Sequence, residues 1–121
     1  MNKFIGVGRL PRSGTVNGTE KKVLRFTLAT KTGHGGKDKK PRQAFVPCVV
    51  FNPSEAAINL LTGDPSGLLI GLEGRVNTSK FETKDGQTKY STEVIVDERS
   101  IEVLELHAIA EPSGDGNGSE W

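Results

Sequence analysis

The chain has 121 residues, a formal net charge of +1 and one cysteine. This length favours a single domain that can bury a core, while one cysteine excludes an internal disulfide and a cysteine-rich metal site. No apolar run approaches the roughly 20 residues that span a bilayer, so we expect a cytoplasmic protein without a membrane anchor.

The net charge conceals an asymmetry along the chain. Residues 1–89 hold 15 Lys or Arg against 7 Asp or Glu, a charge of +8, whereas residues 90–121 hold 1 Arg against 8 acidic residues, a charge of −7. A basic body with an acidic end is typical of proteins that bind polyanions and carry a tail that competes for their own binding site or seeks a partner. The ordinary alternative is a solvated surface whose charge is uneven but has no binding role.

The first predicted strand covers residues 2–10. Ile5 and Val7 share one face, and Gly6 and Gly8 lie on the other. Paired glycines in a strand indicate curvature, a bulge or the close approach of another backbone.

A polar connection with a turn at Asn17-Gly18 is predicted over residues 13–22, and the second strand over residues 22–31. Phe26 alternates in phase with the aliphatic residues of that strand, so it is predicted to lie in the core.

Residues 32–43 are predicted to form a glycine-rich basic loop. The spacing of its glycines does not match a P-loop, so the sharper interpretation is a mobile arm that contacts phosphates. A solvated loop is the simpler alternative. The loop contains four cationic residues, Lys37, Lys39, Lys40 and Arg42.

The third predicted strand, residues 44–51, is apolar on both faces. Such a strand is either buried twice or uses one face for binding. Pro47 donates no hydrogen bond and favours an edge or a bulge, which supports the binding interpretation. Val46, Cys48 and Val50 share one face, and Phe45, Val49 and Phe51 share the other. Cys48 is expected to be a small core residue.

One short helix is predicted after this strand. Asn52 suits the capping position and Pro53 the first helical position, and the helix is expected to end at residues 62–65.

Two strands, residues 68–81 and 89–96, are predicted to form a hairpin that turns at Asp85-Gly86. Phe81 is a large aromatic residue on the polar, basic face, so it is either a cross-strand packing partner or a platform for a flat ligand such as a nucleobase. The faces predicted to be buried hold Leu68, Ile70, Leu72 and Val76 on one strand and Tyr90, Thr92, Val94 and Val96 on the other.

The order strand, strand, strand, helix, strand, strand is the layout of an all-β, five-stranded OB-fold barrel with one short helix between strands three and four and a long hairpin of strands four and five. Residues 101–106 alternate apolar and acidic residues and could resume the last strand. We therefore predict an OB-fold domain over residues 1–106 and a flexible acidic tail over residues 107–121, whose composition favours disorder.

Several stretches resemble the bacterial and mitochondrial single-stranded DNA-binding protein family. They are NKFIGVGRL, FTLAT, FVPCVVFNPSEAA and LEGRVNTSKFETKDGQTKYSTEVIV, and the resemblance as a whole extends over nearly all of residues 2–105. The resemblance implies sequence-independent binding and protection of single-stranded DNA during replication, recombination and repair, nucleoid association, and a homotetramer, with a dimer as the alternative. It also implies a structural role for Tyr90.

On this resemblance, stacking aromatics fall on Phe45, Phe51 and Phe81, and a fourth stacking position falls near His34. The tail is shorter and less acidic than is usual in the family, which leaves recruitment of replication and repair proteins open and admits a phage or plasmid origin. Predicted phosphate contacts are Lys39, Lys40, Arg42, Arg75, Lys80, Lys84 and Lys89, and the predicted partner-binding tail residues are Asp115, Glu120 and Trp121.

No nucleophile triad, metal cluster or phosphate loop is recognisable in the sequence, so we expect no catalytic activity, cofactor or metal. Two other functions remain open. One is an OB-fold adaptor of a primosome-like replication complex that binds DNA weakly. The other is a cold-shock-like RNA-binding protein, although those carry aromatics densely on strands two and three, whereas strand two here has only the core-phased Phe26.

Overall fold

Seven strands and one α-helix form within residues 1–34 and 41–105, which are the residues that the computed structural model describes. The elements are β1 (Phe4–Arg9), β2 (Thr15–Asn17), β3 (Val23–His34), β4 (Pro41–Phe51), α1 (Glu55–Thr62), β5 (Leu69–Glu82), β6 (Thr88–Val96), a 3-10 turn (Glu98–Ser100) and β7 (Glu102–Glu105).

Five of the strands close into a barrel. The order is β1-β3-β4-β6-β5, and β5 pairs back with β1. The β4–β6 pair is parallel, and the other pairs are antiparallel. Two short strands lie outside this ring, because β2 pairs with β3 and β7 pairs with β5. The predicted five-stranded OB-fold barrel, with its helix between the third and fourth barrel strands, is confirmed.

The barrel core follows from the alternation of side chains along each strand. Leu24 and Leu28 on β3, Ile70 on β5 and Leu61 on α1 are fully buried. Helix α1 thus contributes to the same apolar cluster as the strands.

Close backbone approach explains a glycine of β1. A Cβ atom on Gly8 would lie 2.3 Å from the carbonyl oxygen of Ala29. The next residue, Arg9, pairs with Ala29 in β3, so Gly8 lies where β1 meets β3 and the barrel closes. Here the predicted close approach of another backbone is confirmed.

The predicted loop over residues 32–43 is shorter than expected. Strand β3 continues to His34 and β4 begins at Pro41, with a shift of register between Lys31 and Gly33. The strand ladder uses backbone groups, so polar and glycine residues can extend it once the neighbouring strand is in place. The sequence prediction was wrong here because it relied on side-chain pattern alone.

The helix begins two residues later than the sequence suggested. Ser54 is its capping residue, and the Ser54 hydroxyl accepts a hydrogen bond from the Ala57 amide at 3.2 Å. Asn52 instead adopts a left-handed backbone conformation with φ of 53°, which an asparagine tolerates better than most residues. Helix α1 has eight residues, and no helix in the described part of the chain is long and apolar enough to cross a bilayer.

The β5–β6 hairpin projects beyond the barrel. The pairing of β5 with β1 ends at Gly74, whereas β5 and β6 remain paired as far as Glu82 and Thr88. The predicted turn forms, with Gly86 at φ of 88°. Beyond Gly74 the hairpin has little to pack against, which is why the prediction of buried side chains fails at three positions: Val76, Tyr90 and Thr92 are exposed.

Candidate nucleic-acid interface

One outer surface of the barrel runs without a break across β3, β4, β6 and β5. The register of these strands places on it the residues that alternate with the core residues. We call this surface the Phe face. It consists of Arg25, Thr27, Ala29 and Lys31 on β3, Phe45, Pro47, Val49 and Phe51 on β4, Lys89, Ser91, Glu93 and Ile95 on β6, and Arg75, Asn77, Ser79 and Phe81 on β5.

Three exposed phenylalanines lie on this face. Phe45, Phe51 and Phe81 are 58%, 51% and 47% exposed. Phe45 and Phe51 are six positions apart on β4, about 20 Å at the usual strand rise, and Phe81 lies on the projecting hairpin. Exposed aromatic rings on a single sheet face are the platforms on which nucleobases stack.

The predicted stacking position at His34 is the last residue of β3, where its backbone pairs with Pro41. The placement of its side chain lies outside the described residues. Base stacking at His34 stays a prediction.

The predicted phosphate contacts do not all share this face. Arg75 and Lys89 lie on it, and Lys89 pairs directly with Phe81. Lys80 pairs with Tyr90 and points to the opposite side of the hairpin, while Lys84 lies in the turn. Arg42 alternates with Phe45 and therefore projects from the other side of β4.

Five predicted residues lie outside the described part of the chain. They are Lys39 and Lys40 in the β3–β4 connection and Asp115, Glu120 and Trp121 in the predicted tail. Their roles in phosphate contact and partner binding stay predictions.

Sequence reasoning missed three cations at this surface. Arg25 and Lys31 lie on β3 of the Phe face, and Arg12 reaches it from the loop before β2, where its Nη2 donates to Thr27 Oγ1 at 3.5 Å. The sequence pattern could have identified Arg25 and Lys31, because both alternate with the buried leucines of β3 and so lie on its outer face. It could not have identified Arg12, since a loop residue does not follow the alternation of a strand.

A cleft of about 230 Å³ opens into the Phe face beside Arg25. It is lined by Arg12, Ser13, Thr15, Arg25, Phe26, Thr27, Pro47, Cys48 and Glu93. Two guanidinium groups, three hydroxyl groups and one carboxylate line this cleft, and the guanidinium and hydroxyl groups can donate hydrogen bonds to an anion.

Cys48 lines this cleft, and its thiol is expected to be unreactive at neutral pH. Burial, with a smaller contribution from the Glu93 carboxylate, raises the pKa of the Cys48 thiol to about 12. At this pKa the thiol is protonated near neutral pH, and little of it is in the thiolate form that acts as a nucleophile. Within residues 1–34 and 41–105, no three His, Cys, Asp or Glu side chains are grouped to hold a metal ion.

Comparisons with known proteins agree with this geometry. A family model described as the single-strand binding protein family matches residues 1–104. The single-stranded DNA-binding protein of Clostridium tetani is 36% identical over 102 residues, covering 81% of this chain and 68% of the relative. Single-stranded DNA-binding protein 2 of Streptococcus pyogenes serotype M18 is 30% identical over 119 residues, covering 97% of this chain and 71% of the relative.

The barrel also resembles a solved structure, described as a Plasmodium falciparum SSB complex with ssDNA. The TM-score is 0.68 at 22% identity, over 87% of this chain and 96% of that one. At this identity the likeness concerns the fold, whereas the family match extends over nearly all of the barrel sequence. The chain therefore belongs to the single-strand binding protein family.

Proposed function

We propose that this protein binds single-stranded DNA along the Phe face, without sequence preference and without catalysis. Family membership supports DNA binding and does not favour the adaptor alternative. The observation that carries the assignment to this face is the row of three exposed phenylalanines, Phe45, Phe51 and Phe81, on one continuous sheet surface.

The chemistry of the Phe face accounts for sequence tolerance. Every base has a π-face, so stacking contributes about 1–3 kcal/mol per base whatever the base is. Arg25, Lys31, Arg75 and Lys89 can contact phosphates, which carry no sequence information. A protein of this kind would protect single strands during replication, recombination and repair in the cytoplasm.

Binding to oligo-dT tests the proposal directly. We expect the full chain to bind labelled oligo-dT of about 35–70 nucleotides with a dissociation constant below about 1 μM at low salt. Affinity should fall as salt rises from about 50 to 200 mM, since phosphate contacts release counterions. Parallel titration with oligo-U tests the RNA alternative. Absence of DNA binding at low salt would overturn the proposal.

We also propose that copies of this chain assemble into a homotetramer. Ile5 and Val7 on β1 and Leu104 on β7 form an exposed apolar surface, which we call the β1 patch. A Cβ atom on Gly71 would lie 3.5 Å from Leu104 Cδ1 and 3.6 Å from Val7 Cγ2, so these side chains are close neighbours.

The surroundings of the β1 patch suit an interface between copies. Ion pairs Lys3–Glu73 and Arg9–Glu105 border it at 3.5 and 2.8 Å, and an apolar centre with a polar rim is typical of subunit interfaces. The patch lies on β1 and β7, which do not belong to the Phe face. A second copy could therefore cover it while DNA occupies the Phe face, and several copies would raise the affinity for long strands.

Light scattering tests this assembly. We expect a tetramer mass for the native chain and a smaller mass for Val7→Glu, because a carboxylate buried without a partner is costly. The control is Thr19→Glu, which adds the same charge at an exposed loop position and should keep the native mass. An unchanged mass for Val7→Glu would contradict the role of the β1 patch.

The predicted tail, with Asp115, Glu120 and Trp121, remains our candidate for contact with replication and repair proteins. Its support is the composition of the sequence: acidic, glycine and serine residues precede Trp121.

A further inference from the structure

One acidic side chain occupies the middle of the cationic Phe face. Glu93 on β6 forms an ion pair with Arg25 on β3, with 3.3 Å between Glu93 Oε2 and Arg25 Nη1. Strand β4 lies between these two strands, since Val49 pairs with Arg25 on one side and with Ile95 on the other. Adjacent strands are about 4.8 Å apart, so the ion pair bridges about 10 Å over β4.

The ion pair lies on the path between two stacking platforms. Val49 points outward on β4 between Phe45 and Phe51, yet it is fully buried. Arg25 and Ile95 flank Val49 on the neighbouring strands, so the Arg25–Glu93 ion pair crosses β4 next to it. A DNA strand that contacts both Phe45 and Phe51 along β4 has to pass over this ion pair.

The ion pair is open to solvent on the Arg25 side. The Arg25 side chain is 50% exposed and that of Glu93 only 17%, and solvent screening at an exposed partner weakens an ion pair. Among the described residues Arg25 is held by one nitrogen–oxygen contact, although a guanidinium carries five N–H donors. Arg12 lies at the same cleft, so a phosphate there would meet two guanidinium groups.

We propose that Glu93 competes with the DNA phosphate for Arg25, and that DNA binding transfers Arg25 from Glu93 to an internucleotide phosphate at this cleft. The inference rests on the proposed binding of single-stranded DNA along the Phe face. Glu93 thereby lowers affinity and screens Arg25 from weaker anions when DNA is absent.

The test is Glu93→Gln in the full chain, titrated with oligo-dT across a salt series. The substitution keeps the side-chain shape and removes the charge, and we expect affinity to rise by up to about fivefold, the equivalent of about 1 kcal/mol for one ion pair. The slope of log K against log salt should steepen by up to about 0.7, the value for one more phosphate neutralised on a single strand. Arg25→Gln should weaken binding by a similar factor.

The matched control is Glu55→Gln, which removes an exposed carboxylate in the first turn of α1, outside both the Phe face and the β1 patch. It makes the same change in net charge and should alter affinity less than Glu93→Gln does. In an Arg25→Gln background, Glu93→Gln should lose most of its effect on affinity, because there is no guanidinium group left for Glu93 and the phosphate to compete for.

Three results would overturn the inference while leaving the proposed function intact. They are weaker binding by Glu93→Gln, which would make Glu93 a positioning residue for Arg25; equal gains from Glu93→Gln and Glu55→Gln; and an undiminished gain in the Arg25→Gln background. Failure of the native chain to bind oligo-dT would instead overturn the proposed function.

Discussion

Replacing Phe45, Phe51 or Phe81 with alanine is expected to weaken binding of oligo-dT by about 5- to 150-fold for each residue. This range corresponds to the about 1–3 kcal/mol that base stacking on an aromatic side chain contributes. All three rings are about half exposed, so their removal leaves no core cavity, and the thermal stability of the variants should stay close to that of the native chain. Fluorescence anisotropy at fixed salt measures the loss.

A control lies on the same hairpin. Tyr90 is an exposed aromatic residue that pairs with Lys80 on the opposite side from Phe81. Tyr90→Ala should therefore change the DNA affinity much less than Phe81→Ala, and light scattering should confirm that both variants keep the native mass. Equal losses for the two variants would contradict the Phe face, because they would show that both sides of the hairpin contact DNA.

Gly8→Ala is expected to destabilise the barrel by about 3 kcal/mol or more. The new methyl group would lie 2.3 Å from the carbonyl oxygen of Ala29 and 3.1 Å from Leu28 Cγ. A backbone carbonyl in a paired strand cannot move aside cheaply, so β1 would separate from β3 where the barrel closes. Thermal unfolding should show a fall in the midpoint on the order of 10 °C.

Gly6→Ala provides the comparison on the same face of the same strand. Its Cβ atom would meet the ring of Phe4 at 2.6 Å, at the far end of a side chain. Phe4 is only partly buried, so its ring can rotate away, and the cost should be nearer 1 kcal/mol. If Gly8→Ala were as stable as Gly6→Ala, close approach at Ala29 would not be what requires glycine.

The alternation of apolar and polar residues was sufficient to predict most of the barrel. Leu24, Phe26 and Leu28 are buried as expected, and so are Leu68, Ile70 and Leu72. This works because successive strand side chains face opposite ways, so one buried face imposes a period of two on the sequence. The same period separates the Phe face from the core, so the position of Phe45, Phe51 and Phe81 on an outer surface was also predictable.

Strand ends were not predictable from that pattern. Strand β3 continues through polar residues to His34, and strand β4 already begins at Pro41. Backbone pairing continues wherever a neighbouring strand is aligned, whatever the side chains are. Conversely, Val76 and Tyr90 follow the core pattern but are exposed, because the hairpin leaves the barrel before it reaches them.

By itself, the sequence determined the class of fold, the order of its elements and the three aromatic residues of the candidate site, because each depends on local periodicity or on motifs. The tertiary structure decided which cations share the Phe face, placing Arg12 and Arg25 on it and Lys80 on the other side. It also brought Glu93 to Arg25 across β4, over 68 residues of sequence. Such contacts depend on strand register and barrel closure, and the alternation of apolar and polar residues along the sequence specifies neither.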